Sequence, residues 1–158
     1  MREHRRKDKR NEKKEYDQEV LDIARVARVV KGGRRFSFRA TVAIGNHKGK
    51  VAVGIAKGSD VSSAIGKAFN DAKKHFIIFP IVNDTIPHEA FVKYEGAKII
   101  LKPARIGRGI VAGGSLRVIA ELGGIKNMSG KSLGSNNKIN TAKAMLKALS
   151  EMKEIKKK

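Results

Sequence analysis

The amino-acid sequence predicts an α+β protein of two units, β-β-β-α followed by an α/β arrangement. Three observations carry that prediction. Phe36, Phe38, Ala40, Val42 and Ile44 alternate with Ser37, Arg39, Thr41 and Ala43, the period of two of a strand that buries one face. Val61, Ala64, Ile65, Ala68, Phe69, Ala72 and Phe76 recur at helical spacing. The segment Pro80 to Pro87 (PIVNDTIP) then breaks both periodicities and marks a junction.

The charged arm comes first. Residues 1–19 are polar, with eight basic and six acidic residues, and read as a flexible N-terminal arm. An acidic cluster, Glu15, Asp17, Glu19 and Asp22, separates it from the basic strands. Ile23 to Val30 is a β-branched run that reads as the first strand, closed by Lys31-Gly32-Gly33-Arg34. Phe36 to Ile44 forms the second strand, and Gly45-Asn46-His47-Lys48-Gly49 turns into the third, Val51, Val53 and Ile55. Ser59 or Asp60 can cap the helix by accepting a bond from its free N–H groups. Its apolar face, laid on the sheet, makes Phe36 and Phe38 core residues.

The second unit opens with a hairpin, Ala90–Glu95 and Ala97–Lys102, around Gly96. A glycine- and arginine-rich segment runs from Pro103 to Gly114. Leu116, Ile119, Ala120 and Leu122 make a short helix that Gly123-Gly124 ends. A weak strand spans 125–133, and Asn137 caps a last helix carrying Ile139, Ala142, Met145, Leu146, Leu149 and Met152. The predicted division is an arm at 1–19, a first domain at 20–83, a second at 84–153 and a basic tail at 154–158.

Composition narrows the function classes. With 158 residues, 41% of them hydrophobic, the chain has material for a real core. Its 35 basic residues against 15 acidic ones leave a net charge of +20, whose self-repulsion implies a polyanionic partner. The excess sits on the predicted folded body, since residues 23–149 hold 23 basic and six acidic side chains. Absence of cysteine excludes disulfides and thiolate metal sites, and His4, His47, His75 and His88 show no ligand spacing. No metal or other cofactor is expected. No apolar run approaches the ~20 residues of a membrane span, and the N-terminus lacks the apolar core of a secretion signal. A cytoplasmic location is expected.

Two motifs suggest nucleotide chemistry and fail on context. Gly107-Arg108-Gly109-Ile110-Val111-Ala112 matches G-x-G-x-x-A, but too little chain remains after it for a dinucleotide fold. Gly130-Lys131-Ser132 resembles the end of a phosphate-binding loop, yet the required first glycine falls on Ile125. No paired carboxylates or Ser–His–Asp set suggests an enzyme.

The basic surface is the stronger candidate. From Ile23 to Lys57 there are nine basic residues and no Asp or Glu. Arg25, Arg28, Lys31, Arg34 and Arg35 flank Gly32-Gly33, where backbone N–H groups are also open to phosphates. Lys48 and Lys50 add charge at the second turn. Arginine suits bidentate phosphate contacts and stacking on bases.

The blocks VVKGGRRFSF, GKVAVGIAKGSDVSSAIGKAF, IVAGGSLRVIAELGGIKN and GSNNKIN, in this order from Ile23 to Met152, resemble bacterial-type small-subunit ribosomal protein five. The resemblance implies an N-terminal domain similar to a double-stranded-RNA-binding domain and a C-terminal α/β domain. It implies a structural constituent of the 30S subunit, bound to small-subunit rRNA where head meets body. The loop matching Arg25–Arg35 would reach rRNA near the spectinomycin pocket. The C-terminal domain would face small-subunit protein four, an interface tied to decoding accuracy. Residues matching that region are Arg105, Arg108, Gly113, Gly114 and Arg117. With proteins four and three, the family rings the mRNA entry channel. Here the loop before IVAGG reads Arg105-Ile106-Gly107-Arg108-Gly109, where the family commonly has small or acidic residues and Thr. The extra arginines imply either an altered protein-four contact or a second rRNA contact. The other reading of the same basic unit is a free-standing double-stranded-RNA binder or RNA chaperone.

Overall fold

The computed structural model describes residues 16–153. The tail at 154–158 and most of the charged arm therefore lie outside the described residues. Strand β1 (Asp17–Val30) pairs antiparallel with β2 (Gly33–Gly45), which pairs with β3 (Lys50–Gly58). Helix α1 (Val61–Ala72) comes next, and β4 (Ile77–Ile78) closes the sheet in the order β1-β2-β3-β4. The second sheet has the order β5-β6-β8-β7, from β5 (Ala90–Tyr94), β6 (Ala97–Pro103), β7 (Ile110–Val111) and β8 (Met128–Ser132). Helices α2 (Gly114–Gly123) and α3 (Lys138–Ser150) complete the elements of the described residues. The expected α+β class and both units are present.

Several local differences have physical reasons. β1 begins at Asp17 rather than at Ile23, because Asp17 to Val20 pair with Val42 to Gly45 across a bulge at Leu21. This takes Asp17, Gln18 and Glu19, expected in the arm, into a strand. The side chain of Asp60 sits at the α1 cap position without making the capping bond. Asn137 does make its bond, accepting from the N–H of Ile139 at 3.0 Å. α1 ends at Ala72, so Phe76 lies beyond it and packs on Tyr16 with ring centroids 4.7 Å apart.

The centre of the first sheet, in β2 and β3, is buried on both faces, not one. Ala40, Val42, Ile44 and Ala52 face α1, whose Ala64, Ala68 and Ala72 are small enough to seat the helix closely. Ala43, Val51 and Val53 point the opposite way, into a larger core shared with α2 and α3. Val51 and Val53 thus pack away from the helix expected to cover them. The layers run α1, first sheet, the α2–α3 pair, second sheet. β3 keeps a partly open edge, where the Asp71 carboxylate accepts the N–H of Ile55 at 3.1 Å.

The β2–β3 turn is clamped to the end of α2. The N–H groups of His47 and Gly49 donate to the carbonyls of Leu122 and Gly123 at 2.9 and 2.8 Å. The His47 ring places Nδ1 2.8 Å from the Glu121 carbonyl oxygen and Nε2 3.0 Å from the Asp17 carboxylate. Gly124, left-handed at φ 88°, leaves no room for a Cβ, which would collide with the His47 carbonyl.

Candidate nucleic-acid interface

Pairing between β2 and β3 stops at Phe38 and Gly58, while β1 and β2 stay paired out to Val30 and Gly33. Residues 26–37 therefore form a two-stranded ribbon that outruns the sheet. Lys31-Gly32 makes its turn, with Gly33 at φ 142°. From Ala27 to Phe36 every residue is exposed except half-buried Val30.

Side-chain alternation divides the ribbon's charge. Arg28 lies directly opposite Arg35 on one face; Arg25, Arg34 and Phe36 share the other. Like charges directly opposite each other cost stability unless something anionic lies over them. Among the described residues, none of Arg25, Arg28, Lys31, Arg34 and Arg35 has an acidic partner. Phe36 corrects an expectation. It is 51% exposed, because neither β3 nor α1 extends far enough to cover it. Its ring carries the Arg25 guanidinium, 3.7 Å from the centroid. Phe38 is partly buried against the α1 core, as expected.

Lys48 and Lys50 do not join this cluster. The antiparallel register sends them to the opposite end of β2, roughly 40 Å from Lys31 at ~3.3 Å per residue. Lys48 is exposed there. Lys50 is half-buried, its ammonium donating to the Tyr16 hydroxyl at 3.1 Å and lying 4.4 Å from the Phe76 ring centroid.

Arg105 and Arg108 are exposed on the loop between β6 and β7. Buried Asn127 holds that loop, its side-chain oxygen accepting from the N–H groups of Gly107 and Gly109 at 3.1 and 3.0 Å. The Thr85 hydroxyl accepts from the N–H of Ala104 at 3.2 Å. Gly113 and Gly114 open α2, and Arg117 on its first turn donates to the Ile110 carbonyl at 2.8 Å. The five residues therefore share one edge of the second unit. Sequence reading missed Asn127, a lone polar residue in a weak strand with no periodic signal.

Neither nucleotide motif has its required setting. Gly130-Lys131-Ser132 lies within β8, and Gly107–Gly109 leads into strand β7 instead of a helix. Among the described residues no cluster of ligating side chains could hold a metal, and no helix is long and apolar enough to cross a membrane.

Residues 16–80 match the family model described as Ribosomal protein S5, N-terminal domain, and residues 92–158 match Ribosomal protein S5, C-terminal domain. The chain belongs to the ribosomal protein S5 family. It is similar to the small ribosomal subunit protein uS5 of Campylobacter jejuni strains 81-176, 81116 and RM1221. Each is 49% identical over 141 residues, covering 89% of this chain and 96% of the relative. Membership in the S5 family makes the chain a protein of the small ribosomal subunit, an RNA-binding constituent of the ribonucleoprotein and not an enzyme.

Proposed function

We propose that this chain, in the cytoplasmic ribosome, binds small-subunit rRNA at the head–body junction through the β1–β2 ribbon. The carrying observation is the ribbon with Arg25 at its base, five exposed cations with no acidic partner among the described residues and opposed arginines at positions 28 and 35. Arg25, Arg28, Lys31, Arg34 and Arg35 neutralise phosphates, while Gly32 and Gly33 let the backbone approach. A narrow ribbon enters grooves that a bulkier loop cannot, so shape recognition accompanies charge. Lys48 and Lys50 then belong to a separate rRNA contact at the far end of the sheet.

Arg105, Arg108, Gly113, Gly114 and Arg117 form the contact to small-subunit protein four, or a second rRNA contact. With protein three these surfaces border the mRNA entry channel and support translational accuracy. The domain division proposed is 20–83 and 84–153.

Crosslinking inside assembled 30S particles tests the reading. Residues of the Arg25–Arg35 ribbon should crosslink to small-subunit rRNA, and residues around Arg105 and Arg117 to protein four or rRNA. A ribbon that crosslinks to neither rRNA nor any other RNA in the particle contradicts it.

A further inference from the structure

Among the described residues, nothing covers one face of the second sheet. Ala97, Ile99, Leu101 and Val92 point into the core, so the alternate positions Phe91, Lys93, Lys98, Ile100, Lys102 and Lys131 point outward. Phe91 is 64% exposed, and the four lysines are exposed with it. No acidic residue occupies an outward position on these three strands. Lys93 lies directly opposite Lys98, another like-charged pair that raises the cost of the free face. Of these four lysines only Lys102 has an acidic neighbour among the described residues, Glu89 at 3.6 Å, and that pair borders a cavity of about 330 Å³ beside Phe91 and Ile100.

We propose that this face is a further RNA-binding surface, one that takes a single-stranded segment with an unpaired base stacked on Phe91. An aromatic ring standing free on an open sheet offers a base its flat face, and every base has one. On the same face Lys93 stands two residues along β5, Lys98 lies diagonally across on β6 and Lys131 lies beyond Ile100 on β8, so the three line a track leading away from the ring where they meet phosphates. An acidic protein surface would satisfy the lysines but leave the exposed ring without a specific role. RNA uses both. The cavity beside Phe91 gives the stacked base room to lie against Ile100.

This surface is independent of the ribbon, and its test removes the ribbon's contribution. The full-length chain carrying Lys31→Ala, Arg34→Ala and Arg35→Ala is titrated with a labelled decauridylate and, separately, with a duplex RNA of equal length. In this background Phe91→Leu should weaken decauridylate binding between about five- and a hundredfold, leave duplex binding unchanged, and be rescued by Phe91→Tyr. Lys93→Gln, Lys98→Gln and Lys131→Gln together should lower the salt slope for the single strand by about two. Thermal unfolding of each variant checks that these exposed substitutions leave the fold intact. Unaltered decauridylate affinity in Phe91→Leu overturns the proposal. So does polyglutamate displacing the RNA with an affinity that ignores residue 91, which would identify an acidic protein face.

Discussion

The Arg25 guanidinium lies 3.7 Å from the centroid of the Phe36 ring, on a ribbon where neither residue is covered by the core. Cross-strand register explains the contact. Arg25 pairs with Phe38, which puts Phe36 at the diagonal position on the same face. The ring thus holds a cation in place at a position where a free arginine would sample many rotamers. Phe36→Leu should leave thermal stability nearly unchanged, since the ring is exposed. It should lower rRNA affinity about two- to fivefold through the lost cation–π contact, as read by filter binding at fixed salt.

Asn127 acts on the opposite edge. Asn127→Ala removes the acceptor for two backbone N–H groups, those of Gly107 and Gly109. A loss of about 2–3 kcal/mol is expected from denaturant unfolding. Hydrogen exchange should accelerate at Gly107 and Gly109 while the amides of α3 keep their protection, because the change frees a loop and not the core.

Thr41 presents the converse case. It is fully buried on β2, and among the described residues its hydroxyl has no hydrogen-bond partner. Thr41→Val keeps the shape and removes the unsatisfied group, so the variant should be more stable by about 1 kcal/mol. Chemical denaturation with an unchanged m-value would record it.

Gly124→Ala probes the clamp between the β2–β3 turn and α2. The substitution forces an L side chain into a left-handed backbone and drives its Cβ against the His47 carbonyl. A destabilisation of about 3 kcal/mol is expected in the denaturation midpoint. Gly32→Ala, on the open ribbon turn where nothing stands within 4 Å of the added carbon, serves as the mild comparison.

The main strands and the three helices among the described residues are legible in the sequence because each carries enough residues to display a period. β4 and β7 are not, since two-residue strands have no period to read. Alternation locates Phe36 on the α1 face correctly but cannot say where the helix ends, and coverage stops short of it. Val51 and Val53 mislead in the same way. Alternation alone suggests a one-sided sheet, whereas β2 and β3 meet a second core on their other face. Among site residues, the ribbon cations are visible as a run of charge without acids, and the structure gathers them. Lys48 and Lys50 belong to the same run, yet a strand of 13 residues separates their turn from the ribbon tip. Asn127 gives no signal at all, because its role depends on a loop folding back onto it.

Salt dependence of rRNA binding tests the central claim most directly. With about six phosphate contacts, affinity of the parent chain should fall about a thousandfold between 50 and 200 mM salt. Lys31→Ala, Arg34→Ala and Arg35→Ala together should reduce the log–log slope by about three, so that the same salt step costs only about fortyfold. Circular dichroism should show the variant folded. A parent whose affinity ignores salt, or a folded triple variant whose slope equals the parent's, would contradict rRNA binding through the β1–β2 ribbon.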